Sequence, residues 1–306
     1  MSTASVSNLP NRPKDEADRL AEPTNDRSAA AVSADRGPVR NVAWPAVGAI
    51  WSREVKRFFR QRNRVIGAVA TPLVFWLLLG LGLDETFRLS PSAADQETLN
   101  AASDVGYLEF FFPGMVILMV LFTAIFSTIS VIEDRKEGFL QGVLASPAKR
   151  WAIVLGKVLG GASIATAQGV LLLAIWCVFF AWPGIGNLLA AVGVMFVVAV
   201  GLTGLGLCIA WPMDSTAGFH AVMNLLLMPM WFLCGAVFPV ETAGPMKWIM
   251  YANPLTYGNT SFAWALQGDA AVGIGLPNAV ALVVTAAATI AVVAGATRLA
   301  SKAGKA

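Results

Sequence analysis

The stretch FFFPGMVILMVLFTAIFSTISVI, from Phe110 to Ile132, holds no Asp, Glu, Lys, Arg or His, and Glu133-Asp134-Arg135-Lys136 follows it at once. About 20 apolar residues in a helix cross the roughly 30 Å hydrocarbon core of a bilayer. The run therefore predicts a membrane-crossing helix that stops at a charged boundary. Five further apolar runs have similar length: 65–83, 158–182, 188–211, 217–238 and 276–297. The first contains Pro72, which a membrane helix tolerates when neighbours satisfy the freed carbonyl. The expected fold class is an all-α membrane protein with six transmembrane helices.

Composition agrees with this reading. Hydrophobic residues make up 56% of the 306-residue chain and charged residues only 13%. A soluble domain carries about a quarter charged residues, so this chain cannot cover itself with polar surface in water. The net charge of +3 is no sign of a nucleic-acid partner, because the basic residues follow membrane topology. Twelve of the 22 Lys and Arg precede the first run, five lie around the loop between runs two and three, and three end the chain. Cytoplasmic loops carry the excess of Lys and Arg, which predicts cytoplasmic N- and C-termini with only Arg88 and Lys247 outside.

The organisation expected is a disordered tail over 1–43, an amphipathic interface helix over 44–64, a six-helix membrane domain over 65–300 and a short tail over 301–306. The first tail is poor in large apolar residues and cannot offset its ordering entropy. In the interface helix, Val47, Ile50, Trp51, Val55, Phe58 and Phe59 recur at helical spacing, with Arg53, Glu54, Lys56, Arg57 and Arg60 on the remaining circumference. A basic amphipathic helix with aromatics suits the membrane surface. Outside, 84–109 is acidic. Residues 239–275, with Trp248, Tyr251 and Trp264, predict short helices dipping into the outer interface.

Chemistry is sparse. Cys177, Cys208 and Cys234 lie in apolar runs without metal-ligand spacing, so no metal site and no catalytic residue is expected. An intramembrane hydrolase would need an activated serine and a base. Ser163 and His220 form the one pair to consider, and Ser163 lacks a following Gly. Ionisable residues near the bilayer midplane mark ion-coupled transport, and the six runs hold only His220. Neither Gly156-Lys157 nor Gly304-Lys305 fits a phosphate-binding Gly-x-x-x-x-Gly-Lys-[Ser/Thr] loop. The chain is thus expected to bind no cofactor and to draw energy from outside the membrane.

The loop between runs two and three reads EDRKEGFLQGVLASPAKR over 133–150. It predicts a short surface helix with Phe139, Leu140, Val143 and Leu144 as its apolar stripe, ended by Ser146-Pro147. Lys149 and Arg150 would anchor the next span. On physics alone a plain connecting helix fits as well. Gly156 and Gly160, and Gly201, Gly204 and Gly206, would allow close helix packing.

This loop resembles that of the ABC type-2 exporter permeases, whose acidic start, Gly, apolar stretch, Leu-x-[Ser/Thr]-Pro-x-x-Arg and Gly-Lys are matched by Glu133, Glu137, Gly138, Leu144, Ser146, Pro147, Arg150, Gly156 and Lys157. Phe139 stands where many members have Thr. The resemblance extends to Phe238-Pro239-Val240, to Asn253-Pro254-Leu255-Thr256-Tyr257 and to the interface helix, with Trp51, Arg53, Arg57 and Phe58, so it covers about 44–300. It implies a permease subunit that pairs with a second copy and contacts membrane lipid and an exported substrate. The 133–150 loop, with Phe139 and Leu140, would be the coupling helix that seats in a cleft of a separate ATPase subunit, which would hold the ATP and Mg. It further implies a bacterial plasma membrane and leaves the substrate open. An ATP-independent six-span transporter or channel is the alternative.

Overall fold

The computed structural model describes residues 43–60, 66, 70, 72–82, 107–146, 148–180, 182–268, 271 and 274–302. The tail expected to be disordered, and the acidic loop up to residue 106, lie outside the described residues. Among the described residues the secondary structure is helical throughout.

In chain order the helices are α1 (Ala43–Arg60), α2 (Pro72–Gly82), α3 (Tyr107–Ser127), α4 (Ile129–Lys136), α5 (Phe139–Ala145), α6 (Arg150–Phe179), α7 (Ile185–Ala210), α8 (Thr216–Trp231), α9 (Lys247–Ala252), α10 (Pro254–Gln267) and α11 (Asn278–Lys302). Five helical segments are long and apolar enough to cross a membrane: α3 with α4, α6, α7, α8 with the turn after it, and α11. The first expected span is represented by α2, with Ile66 and Ala70 also helical.

α3 forms the centre. Its buried residues lie all around its circumference, from Phe111 and Phe112 to Ile125, as expected of a helix with no polar face. α6, α7 and α8 surround it. The chain bends between α3 and α4, where Ser127 and Thr128 turn their hydroxyls back onto Ala124 O and Ile125 O at 2.6 Å each. Such back-bonding bends helices. Glycines set the closest approaches. A Cβ at Gly201 would lie 2.6 Å from Thr289 Oγ1, bringing α7 against α11.

Two elements differ from expectation. α6 starts at Arg150, eight residues before the apolar run begins, so Lys157 lies two turns inside a helix instead of at a boundary. The outer segment is not confined to an interface. Its α10 has Leu255, Thr256, Gly258, Ser261, Phe262 and Leu266 buried and packs against α7 and α11. The side chains that let it in are small: a Cβ at Gly258 would lie 2.9 Å from Val198.

Candidate functional site

α1 does not lie free. Trp44 meets Trp151 edge to face at 5.6 Å. Gly156 faces Val47 and Ile50, and Gly160 faces Glu54, where a Cβ would come within 2.8 Å of the neighbouring side chain. Trp51 Nε1 donates to Ser163 Oγ at 3.1 Å. The partners advance together along both chains, so α1 runs alongside the first turns of α6. The two glycines make a shallow channel for it, an intramolecular use of the Gly-x-x-x-Gly spacing.

Between those glycines, Lys157 points into an ionic cluster. Its Nζ donates to Asp134 Oδ2 at 2.7 Å, Glu54 Oε1 at 2.8 Å and Ser130 Oγ at 3.1 Å. Asp134 is wholly buried, Lys157 5% exposed and Glu54 7%. Arg53 adds a bidentate contact to Asp134 at 2.6 and 3.1 Å. Arg57 reaches Asp134 Oδ1 at 3.1 Å and Glu133 Oε2 at 2.7 Å. Asp134 holds Arg53 above the ordinary guanidinium range, as a carboxylate partner does by favouring the charged form. Three cations thus face three carboxylates, with Glu137 3.7 Å from Arg57 as a fourth at the rim. Charges this buried are tolerated only when paired.

The next residue grips a different element. Arg135 donates to Trp211 O, to Met213 O at 3.3 Å and to Asp214 Oδ1 at 2.7 Å, closing the end of α7. A cation there satisfies orphan carbonyls and complements the helix dipole. Consecutive residues of α4 therefore tie it to α1, α6 and the α7–α8 turn.

α5 departs from this anchored unit at Gly138, whose φ of +75° suits glycine. The expected apolar stripe forms only in part. Leu140 is buried, but Phe139 is 40% exposed and lies under the Arg53 guanidinium, 3.9 Å from the ring centroid. Gln141, Gly142 and Ser146 are exposed. Ser146 donates to Val143 O at 2.6 Å and has an extended backbone, so it ends the helix as expected before a proline. The side chain of Leu144, and Pro147, lie outside the described residues. Arg150 begins α6 and keeps one buried Nη1 without a hydrogen-bond partner among the described residues.

The outer motif forms a second polar centre at the other end of the bundle. α8 contains Pro229 and passes into a π-helical turn over Phe232–Ala236, with Gly235 at φ +79°. This break frees carbonyls. Asn253 Nδ2 donates to Met230 O at 2.6 Å and Leu233 O at 3.1 Å, while its Oδ1 caps α10 by accepting from Leu255 N at 3.0 Å. Pro254 then occupies the first helical position, where its missing N–H costs nothing. Thr256 donates to Leu233 O and Met250 O, and Tyr257 donates to Tyr251 O at 2.8 Å. Pro239 starts a short 3-10 turn at Val240–Thr242. In α3, Pro113 cannot donate to Glu109 O, four residues back, and Gln267 Nε2 does so at 2.8 Å.

Ser163 and His220 are not brought together as a catalytic pair. The first accepts from Trp51 and the second packs at a tilt against Phe126, with ring centroids 5.1 Å apart. Among the described residues no group of three metal-ligating side chains converges. The expectation that Glu54 lies on a polar face is corrected by the ionic cluster. Glu54 is buried because the glycine channel brings it to Lys157. The available signal was a lysine held between two close-approach glycines.

Residues 45–266 match the model of the family described as ABC-2 type transporter. The chain belongs to that family. It is 24% identical over 234 residues to the inner membrane transport permease YadH of Escherichia coli strain K12, covering 74% of this chain and 84% of that protein. It is 25% identical over 244 residues to nodulation protein J of Rhizobium meliloti strain 1021, covering 76% and 87%. A match to a protein named "Probable multidrug ABC transporter permease YbhR" of E. coli strain K12 has 26% identity over 156 residues, half of this chain but only 42% of that protein. Family membership and five long apolar helical segments make this ABC-2 type chain a multi-pass membrane transport permease.

Proposed function

We propose that the chain is the membrane subunit of an ATP-driven exporter, working with a second permease copy and a separate ATPase that meets α5. In this reading α2 is the upper part of a first span, which makes six. Both termini are cytoplasmic, and the membrane is the bacterial inner membrane named for YadH. The ATP and Mg belong to the ATPase. The coupling residues are Glu133, Glu137, Gly138, Phe139, Leu140, Leu144, Ser146, Pro147 and Arg150, flanked by Trp51, Arg53, Arg57 and Phe58 of α1. Pro239, Asn253, Pro254 and Tyr257 hold the broken α8 in place at the far side. The observation that carries the reading is the ionic cluster beneath α5. It supplies a rigid base tied to α1, α6 and α7, so a push on the exposed face of α5 would move those helices together.

The test is affinity purification from native membranes, with mass spectrometry of partners and an ATPase assay of the eluate. A stoichiometric partner with a phosphate-binding loop is expected, lost when 137–147 is replaced by a neutral linker. Reversing the charge of Glu133 and Glu137 together should lower export per ATP hydrolysed, and unchanged export would remove these residues from the coupling path. One observation favours a second reading. Lys157, Asp134 and Glu54 are buried titratable groups of the kind ion-coupled transporters use. A chain that stays solitary after crosslinking in intact membranes, and transports with a pH gradient and no nucleotide, would establish that alternative.

A further inference from the structure

α1 presents three chemically distinct sectors. Val47, Glu54 and Phe58 are buried. Trp44, Trp51 and Phe59 form an exposed aromatic sector, 65%, 41% and 54% exposed. On the other side of Ser52 lies an open groove of about 580 Å³, lined among the described residues by Ala49, Ser52, Arg53, Lys56, Arg57 and Arg60. Arg53 and Arg57 direct their guanidinium groups to Asp134 and Glu133. Among the described residues, Lys56 and Arg60 have no carboxylate within ion-pair distance. The groove therefore keeps two uncompensated cations and a hydroxyl beside an apolar strip.

Its depth follows from the pairing of α1 with α6. At 30 residues, α6 is about 45 Å long, whereas about 20 residues cross the hydrocarbon core. Counting back from Phe179 places the hydrocarbon boundary near Gly160, which faces Glu54. Lys56 and Arg60 come two and six residues later and so up to roughly 9 Å further along. By this count they start at or just inside the hydrocarbon boundary, and their long side chains reach back to the headgroup layer. A cation at this depth needs an anion that belongs to the membrane.

We propose that the α1 groove is a binding site for the headgroup phosphate of an anionic phospholipid. Lys56 and Arg60 provide the charge, Ser52 a hydrogen bond, and Trp51 with Phe59 a surface for the acyl chains. The proposal rests on the chain spanning a membrane, not on its coupling to an ATPase. Its readout is lipid binding without nucleotide, so it can fail while the transport reading stands.

The experiment is native mass spectrometry of the full-length purified chain, released from detergent containing equal phosphatidylglycerol and phosphatidylcholine of matched acyl chains. The wild type is expected to retain phosphatidylglycerol preferentially. Each of Lys56→Gln and Arg60→Gln should lower that preference about fivefold, and the double variant roughly 25-fold. Both side chains are exposed, and the variants should keep wild-type elution profiles and helix content. Lys247→Gln, at the other end, should leave the preference unchanged. An unaltered preference in the double variant would overturn the proposal. So would a double variant that keeps the lipid but loses capture of the ATPase, which would assign the groove to a protein.

Discussion

The two ends of the bundle solve the same problem with different chemistry. Both bury polar groups against apolar helices. At the α1–α4–α6 end the solution is ionic: Lys157, Arg53 and Arg57 against Asp134, Glu54 and Glu133. At the α8–α10 end it is neutral: the amide of Asn253 and the hydroxyl of Thr256 answer carbonyls freed by a broken helix. The charged end lies beneath an exposed helix, and the neutral end locks the irregular backbone of α8. A desolvated ion pair tolerates the loss of a partner badly, because the remaining charge is stranded. A lost amide leaves an unsatisfied dipole, a smaller penalty.

That contrast orders the expected effects. Asp134→Leu leaves Lys157 with Glu54 as its one remaining carboxylate and removes the shared anion of both arginines, and should cost about 3–5 kcal/mol. Thermal unfolding in detergent, followed by size-exclusion fluorescence, measures it. Adding Lys157→Met should recover much of the loss, since an apolar pair can replace a buried ionic one. If Asp134→Leu proved no worse than a neutral-end variant, the distinction between the ends would collapse. Asn253→Ala removes the cap of α10 and the donors to Met230 O and Leu233 O, and should cost about 1–3 kcal/mol in the same assay. The smallest effect, about 1 kcal/mol, is expected for Gln267→Leu, which leaves Glu109 O unanswered. It also has the sharpest control. Pro113→Ala restores a backbone donor to Glu109 O, so Gln267→Leu should cost little in that background. Equal costs in both backgrounds would show that Gln267 acts by packing instead.

Much of the site could be read in the chain, for identifiable reasons. Gly138 stands in the sequence as part of the family-like loop pattern, and the structure uses it as a left-handed break between α4 and α5 at φ +75°. Asn253-Pro254 stands in the sequence as part of a family-like stretch, and the structure starts α10 there with Asn253 as its cap. The partners of these residues could not be read. Nothing local says that Asn253 also reaches back to Met230 and Leu233, or that Gln267 answers a proline in α3, 154 positions earlier in the numbering. Those contacts depend on how the chain folds back.

By itself the sequence determined the membrane class, the apolar helices, the amphipathic character of α1 and the order of the family motifs. The first three follow from composition or periodicity within a window of about 20 residues, the scale set by the bilayer and the helical repeat, and the last from resemblance to the family. Only the tertiary structure decided that Glu54 turns inward, that α10 packs within the bundle and that Lys157 joins three helices into one charged centre. The physical reason is desolvation. Whether a charge is a surface group or a structural anchor depends on which partners surround it once water is gone. Glu54, Asp134 and Lys157 become neighbours only when Gly156 and Gly160 let α1 lie against α6.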